Sequence, residues 1–312
     1  MITLIKITKK YGNKTVVDQL NLTLHQGVVT GFLGPNGSGK STTMKMIISL
    51  VRPTLGEVVI DGKKYDELTH PTKKIGTLID PDAMDKNLTA RQHLSLIATA
   101  ANLEQKRVEE MMTMTGLKTV QDKQIKSFSL GMKQRLGVAT ALISDPDVVM
   151  LDEPFNGLDV DGIKWLRKLF QQLAAQGKAV IVSSHLMSEI QEVADRVVII
   201  GQGKLLADMT IEEMNQKSLN GYVYVESNKP DKLLNVLQAK HGLVRKTPSG
   251  LEVRNLQARE IGQLAYDHQI VLYELKKVLP TLEEMFTEIT YGKTEYVAQE
   301  GEKNDASYEG GY

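Results

Sequence analysis

The stretch SFSLGMKQRLGVATALISDPDVVMLDEPFNGLD, residues 127–159, decides the fold of this chain. A Ser-x-Gly turn at its start leads into a predicted helix from about Leu130 to Ser144. The short apolar segment Val148–Leu151 follows as a predicted buried strand and ends in two adjacent carboxylates, Asp152 and Glu153. Ligands of open α/β sheets bind at the carboxyl ends of the strands, so this pair predicts a ligand site there.

A glycine-rich loop lies upstream of this stretch, at Gly34–Ser41, and reads GPNGSGKS. It fits G-x-x-x-x-G-K-[ST] between a predicted strand and a predicted helix, which is the context that supports a phosphate-binding loop. The alternative is a glycine-rich turn that binds no ligand. We predict that Lys40 bridges the β- and γ-phosphates of a nucleoside triphosphate and that Ser41 ligates Mg²⁺. The predicted nucleotide contacts are Asn36, Gly37, Ser38, Gly39, Lys40, Ser41 and Thr42.

The carboxylate pair complements the loop chemically. Asp152 is placed to hold Mg²⁺ through water, and Glu153 to accept a proton from an attacking water. The alternative is an Asp-Glu-Pro turn that only caps the next helix. The phosphate loop upstream favours the catalytic interpretation.

Composition excludes several other kinds of site. The 312 residues carry 38 Lys+Arg and 38 Asp+Glu, so a basic nucleic-acid surface is not indicated, and no nucleic acid is expected. With no cysteine, disulfides and thiolate metal sites are excluded. No apolar run reaches the roughly 18–20 residues that span a bilayer, and no signal peptide is recognisable at the start. We therefore expect a soluble chain that reaches a membrane only through a partner.

Strands and helices alternate through the first two thirds of the chain, which predicts an α/β fold with a buried parallel sheet. We predict one domain over 1–217, with a helical subdomain at about 82–145. Beyond it the order becomes βαββαβ, which predicts a small α+β domain of ferredoxin-like topology over 220–290. Residues 291–312 are polar and acidic, and a disordered tail is expected there.

These motifs, in this order over about residues 1–215, resemble the nucleotide-binding subunit of ATP-binding-cassette (ABC) transporters, a P-loop NTPase fold. The turn FSLGM at 128–132 is similar to the family's signature motif, Leu-Ser-Gly-Gly-Gln, with Leu130 and Met132 as departures. The resemblance implies that Ser129 and Gly131 face ATP held by a second copy and that Asp159 lies in a loop crossing the dimer seam. It further implies that Tyr11 stacks on adenine beside an apolar contact from Val17, and that His185 touches the γ-phosphate.

The largest departure lies at Asp80, where the family usually has glutamine. Acidic residues there resemble the bacitracin-resistance and lantibiotic-immunity type of exporter, and Asp80 is a candidate Mg²⁺ ligand. The C-terminal extension also resembles that group.

The resemblance implies an ATPase subunit, with ATP and Mg²⁺ as cofactors, acting as a homodimer with permease subunits at the cytoplasmic face of the membrane. It favours export of an antimicrobial peptide or drug. Import is the first alternative. A soluble ABC protein acting on ribosomes or DNA is the second, although one phosphate loop and no long coiled coil argue against it. A non-catalytic ATP-binding module is the third, and the presence of Lys40, Glu153 and His185 disfavours it.

Overall fold

The computed structural model describes residues 1–219 and 221–291. In these residues the strands are β1 Ile2–Tyr11, β2 Lys14–Leu24, β3 Val29–Leu33, β4 Leu55–Ile60, β5 Ile75–Leu78, β6 Val148–Leu151, β7 Ala179–Ser184, β8 Arg196–Gly201, β9 Lys204–Thr210, β10 Tyr222–Ser227, β11 Leu243–Lys246, β12 Leu251–Arg254 and β13 Leu272–Val278. The α-helices are α1 Lys40–Ile47, α2 Pro71–Lys74, α3 Ala90–Ala100, α4 Gln105–Met114, α5 Leu130–Leu142, α6 Val160–Ala175, α7 Met187–Ile190, α8 Ile211–Leu219, α9 Pro230–Ala239, α10 Ala258–Asp267 and α11 Leu282–Thr290.

A six-stranded sheet forms the centre of the molecule, in the order β5-β6-β7-β3-β8-β9. β5 to β8 and β3 run parallel, and β9 pairs antiparallel to β8 at one edge. Every residue of β3, β6 and β7 is buried, because helices cover both faces of a parallel sheet and leave no polar side. The predicted α/β fold with a buried parallel sheet is confirmed. β3, β6 and β7 are parallel and lie in the middle of the sheet, so their carboxyl ends lie close together at the same end of the strands.

A second, antiparallel sheet in the order β2-β1-β4 packs over α1. Its inward side chains join those of β3 and α1 in one apolar core that includes Leu4, Phe32, Met44 and Ile60. Sequence reasoning found β1 but not β2 or β4. These strands have mixed apolar and polar patterns because one of their faces meets solvent.

Helices α3, α4 and α5 form a helical layer beside β5. Thr89 and Gln92 make a capping box at the start of α3, with Gln92 N–H donating to Thr89 Oγ1 at 3.2 Å and Thr89 N–H donating to Gln92 Oε1 at 2.9 Å. α5 lies so close to β5 that a Cβ on Gly76 would come within 1.8 Å of the Ala141 carbonyl oxygen. Glycine is therefore required at this contact.

The last strands form a separate four-stranded sheet in the order β11-β12-β10-β13, with every pair antiparallel. In chain order the elements are β10, α9, β11, β12, α10 and β13, which is the βαββαβ order that the sequence predicts. Helices α9 and α10 cover one face and enclose a core of their own, which includes Val225, Leu237, Val253 and Ile261.

Helix α11 differs from the sequence prediction, which placed it in the C-terminal unit of residues 220–290. Its apolar residues Leu282, Met285, Phe286 and Ile289 pack against the core of the six-stranded sheet. These side chains recur at the 3.6-residue period of a helix, so they form one stripe that needs a covering surface. The large core provides this surface, with Phe286 8% exposed.

Within residues 1–219 and 221–291, no helix has the length and apolarity that a membrane span requires. The predicted disordered tail falls almost entirely at 292–312, outside the described residues.

Candidate active site

The phosphate loop connects the end of β3 to the start of α1. Gly37 and Gly39 adopt left-handed backbone angles, with φ of 80° and 104°. A Cβ on Gly39 would also come within 2.8 Å of the Val16 carbonyl oxygen, so glycine is required there for both conformation and space. Asn36 and Gly37 are exposed, and Ser41 and Thr42 are half-buried in the first turn of α1. The loop thus presents backbone N–H groups at a helix N-terminus, as phosphate binding requires.

Lys40 lies folded back on this loop. Its Nζ donates to the Gly34 carbonyl oxygen at 2.7 Å and lies 3.4 Å from Glu153 Oε1. The side chain is only 6% exposed. Ser38 is also buried, and among the described residues its hydroxyl has no hydrogen-bond partner. A buried cation and an unpaired buried hydroxyl therefore lie together in a loop with the geometry to hold an anion.

Asp152 and Glu153 extend from β6 beside the end of β7, because the two strands are parallel neighbours. Asp152 is 5% exposed and accepts a hydrogen bond from the Ser183 hydroxyl. The Ser183 oxygen in turn accepts the Glu153 N–H at 2.8 Å. One buried hydroxyl thus fixes both acidic residues.

Three predicted catalytic residues meet at the Glu153 carboxylate. Its Oε2 lies 2.9 Å from His185 Nδ1, while its Oε1 faces Lys40. Glu153 has a φ of 46°, which is unusual for a residue with a side chain. The carboxylate is held between two nitrogen groups at the carboxyl edge of the sheet, where it can accept a proton from a water molecule.

The signature turn lies elsewhere on this chain, at the start of α5. Ser129 caps the helix, with its Oγ accepting the Met132 N–H at 3.2 Å. Leu130 is the first helical residue and has no positive φ, so the glycine found here in the family pattern is not required by the backbone. Gly131 packs so tightly on the next loop that a Cβ would lie 2.5 Å from the Gly157 carbonyl oxygen. The structure therefore does not bring Ser129 and Gly131 into the Lys40–Glu153 cluster of the same chain.

Asp159 caps α6. Its Oδ1 accepts the Gly162 N–H at 2.8 Å and lies 4.0 Å from Arg135 Nη2. Its side chain remains 79% exposed, so the capping role leaves it accessible.

Tyr11 ends β1 and is 51% exposed, with Lys9 Nζ 5.0 Å from its ring centroid. Its ring is therefore accessible only on the side that Lys9 does not cover. The prediction for Val17 needs correction. Val17 is 1% exposed and belongs to the core under the antiparallel sheet, so it presents no surface to a nucleotide. Its neighbour Val16 is half-buried.

Asp80 follows β5, the strand next to β6. One carboxylate oxygen accepts the Asp82 N–H at 2.8 Å and caps the short turn Pro81–Ala83. β5 also touches the acidic pair directly, because the Asp152 N–H donates to the Leu78 carbonyl oxygen at 2.7 Å. Asp80 is exposed and keeps its second oxygen available.

The donor set fits a magnesium ion that is bound mainly by substrate. In the part of the chain that the structure describes, no three His, Cys, Asp or Glu residues form a metal-binding group. Ser41 and Asp152 supply only hydroxyl and carboxylate oxygens, and Mg²⁺ typically keeps waters and completes its shell with phosphates.

Sequence reasoning missed Ser183. The available signal was a serine at the end of a predicted strand; its position beside Asp152 follows from the observed pairing of β6 with β7.

Comparison with known proteins places these features in one family. The family model described as ABC transporter matches residues 17–156. YcbN, an uncharacterized ABC transporter ATP-binding protein of Bacillus subtilis, is 35% identical over 92% of this chain and 96% of its own length. This chain belongs to the ABC transporter family. It is an ATP-binding and ATP-hydrolysing cassette of that family.

Two further similarities refine the comparison. BcrA, the bacitracin transport ATP-binding protein of Bacillus licheniformis, is 40% identical over 70% of this chain and 73% of its own length. The solved structure of a dimeric bacterial ABC transporter cassette is 26% identical, with a TM-score of 0.63, over 68% of this chain and 99% of that one. The predicted likeness to the bacitracin-resistance type is thus confirmed. Residues 221–283 match a domain of unknown function.

Proposed function

We propose that this cassette powers an exporter that removes an antimicrobial peptide or a related drug from the cell. The observation that carries the catalytic part is the Glu153 carboxylate held between His185 and Lys40. The similarity to BcrA supports the direction and the substrate class.

In this scheme the loop 34–41 binds the triphosphate through its N–H groups and the dipole of α1. Lys40 leaves the Gly34 carbonyl oxygen and moves onto the β- and γ-phosphates. That move also removes a cation from Glu153, so the carboxylate becomes free to accept hydrogen bonds from water. Tyr11 stacks on the base.

Mg²⁺ would be held by Ser41 and, through water, by Asp152, and it would neutralise charge on the phosphates. Ser183 keeps the Asp152 carboxylate in one orientation for this task. Asp80 would contribute to holding the ion through its second carboxylate oxygen.

Glu153 then accepts the proton of the attacking water. His185, at 2.9 Å, orients the carboxylate and extends toward the γ-phosphate. Ser129 and Gly131 of a second copy close over the nucleotide, since on this chain they lie outside the cluster. Asp159 lies at the seam between the two copies.

Permease subunits are the proposed membrane partners, and the cassette works on the cytoplasmic face. ATP closes the pair of cassettes, and hydrolysis opens it, which shifts the population of permease states. The BcrA likeness favours export over import.

The test of this function is Glu153→Gln, which keeps the size and polarity of the side chain and removes the base. We expect an ATP-dependent dimer by size-exclusion chromatography and a loss of hydrolysis of at least about a hundredfold. The matched control is Glu192→Gln, at a surface glutamate paired with Arg167. A monomer with ATP, together with a normal rate, would refute the scheme.

Asp80→Asn tests the metal and coupling role. The amide retains an oxygen that can accept the Asp82 N–H, so the turn should stay folded. We expect nucleotide binding to survive and the transport-coupled ATPase rate in membranes with the permease to change. An unaltered rate and unaltered Mg²⁺ dependence would remove Asp80 from the site.

A further inference from the structure

The main chain of Glu153 is held from both sides. Its N–H donates to Ser183 Oγ at 2.8 Å. Its carbonyl oxygen accepts two hydrogen bonds, from Gln134 Nε2 at 3.2 Å and from the Asn156 N–H at 3.3 Å. A residue with a φ of 46° needs such support, because its left-handed conformation is unfavourable for a side chain.

Gln134 is the unusual member of this set. It is 2% exposed and faces the residues that follow β6, and burying an amide there costs more than burying an apolar side chain. Its Nε2 reaches Glu153, whereas its Oε1 is buried with no partner among the described residues. The one hydrogen bond that this buried amide makes among the described residues therefore goes to the Glu153 carbonyl oxygen.

The helix that carries Gln134 begins at the signature turn. Ser129 caps α5, and Gln134 lies little more than one turn further along the same rigid helix. The turn itself rests on the loop that follows Glu153, because Gly131 and Leu130 both pack against Gly157. The signature turn and the Glu153 main chain are therefore joined twice, through Gln134 and through this loop.

We propose that Gln134 is a positioning residue that connects the two ATP sites of a cassette dimer. This inference rests on the proposed function, in which Ser129 serves the partner's nucleotide and Glu153 serves its own. When the turn at Ser129 closes on the partner's ATP, α5 shifts, and Gln134 transmits the shift to the Glu153 carbonyl. The Glu153 carboxylate then takes its working orientation only when the opposite site is filled.

The primary variant is Gln134→Met, which preserves the length and approximate volume of the side chain and removes the donor. A second variant, Gln134→Glu, keeps the shape and replaces the amide donor with a carboxyl group. The control is Lys133→Met on the same helix, which loses an ion pair with Asp82 at 2.8 Å and leaves Glu153 untouched. We expect both Gln134 variants to lower kcat by about tenfold or more and to change KM by less than about threefold. We also expect the Hill coefficient for ATP to fall toward one.

Mixed dimers show in which of the two copies Gln134 acts. One copy carries Glu153→Gln, so that only the other copy hydrolyses ATP while both bind it. Gln134→Met is then placed either in the hydrolysing copy or in the copy that carries Glu153→Gln. We expect the loss of kcat to be larger by about tenfold in the hydrolysing copy, because Gln134 supports the Glu153 of its own chain.

Equal losses in both placements, or a larger loss in the copy that carries Glu153→Gln, would overturn the proposal and leave Gln134 a structural residue of the signature helix. An unchanged Hill coefficient for ATP would overturn it as well, whatever the change in kcat. Circular dichroism and thermal melting of each variant check that the chain remains folded. If the Glu153→Gln protein itself formed no ATP-dependent dimer, the proposed function would fail instead, and this outcome is seen before any Gln134 variant is made.

Discussion

Ser183→Ala tests the idea that one buried hydroxyl organises both acidic residues. Ser183 is 0% exposed; it donates to Asp152 Oδ1 and accepts the Glu153 N–H at 2.8 Å. Alanine removes both contacts and leaves almost no cavity. The buried Asp152 carboxylate and the Glu153 N–H both lose a partner in a region that little water reaches.

The expected effect follows from these two lost contacts. A buried polar group left unpaired costs about 1–3 kcal/mol, and more when it is charged. We therefore expect the free energy of unfolding to fall by about 3 kcal/mol. The bond to the Glu153 N–H also offsets a left-handed conformation that costs about 1–3 kcal/mol. Since about 1.4 kcal/mol corresponds to a factor of ten, we expect kcat for ATP hydrolysis to fall by about ten- to a hundredfold.

The assay pairs urea unfolding with phosphate release at saturating ATP. The matched control is Ser184→Ala, at the next residue, also 0% exposed, whose hydroxyl donates to Glu189 and accepts the Leu186 N–H at 3.0 Å. This control should lose a comparable free energy of unfolding while retaining kcat within about threefold, because its contacts lie at Leu186 and on α7 rather than at the acidic pair. If Ser183→Ala kept both quantities, or if the two serine variants lost kcat equally, the reasoning would be refuted.

Three further outcomes are expected. Phe286→Ala should lower the free energy of unfolding by about 3 kcal/mol, since the ring is buried in the large core, while the surface change Glu283→Ala should alter it by less than about 0.5 kcal/mol. Burial lowers the pKa of His93 from its ordinary value of 6.5, so the unfolded chain binds the proton more readily than the folded chain. The free energy of unfolding should therefore fall as the pH drops through about 6.5. His93→Gln should flatten this fall in urea titrations at several pH values, and an unchanged slope would contradict the assignment. Gly76→Ala should lower the free energy of unfolding by about 3 kcal/mol, because its Cβ would collide with the Ala141 carbonyl oxygen. The control Gly262→Ala, whose Cβ would meet only Leu275 Cδ2 at 3.6 Å, should be neutral or stabilising. Equal effects of the two changes in urea unfolding would argue against the close approach of α5 to β5.

The phosphate loop and the acidic pair were predictable from sequence because their residue types have few other uses in that order. Lys40 and Glu153 sit more than a hundred residues apart, yet a glycine-rich loop and a buried strand each place their side chains at the same edge of the sheet. The contact of His185 with Glu153 was less accessible, since it depends on β6 and β7 being neighbours. That order is a property of the whole sheet.

The burial of Val17 has a specific structural cause. Every second side chain of a regular strand faces the same side, so counting back from the buried Leu24 of β2 would place Val16 inward and Val17 outward. Gln19 has a φ of 48°, and the pairing of β1 with β2 shifts register nearby. This bulge reverses the alternation before it, so Val17 enters the core. No local sequence signal revealed the bulge, because glutamine is an uncommon residue at a positive φ.

The packing of α11 sets a limit on where this protein can be divided. The chain leaves the ATPase core after α8, forms the four-stranded unit, and returns to the same core, where Phe286 lies in one cluster with Met187 and Ile190 just beyond His185. A shortened cassette that stops before β10 would bare this apolar surface and should aggregate. Residues 221–281 are thus best regarded as an insertion ahead of the last helix of the ATPase core. A shortened protein should therefore keep α11 and replace residues 221–281 with a short flexible linker.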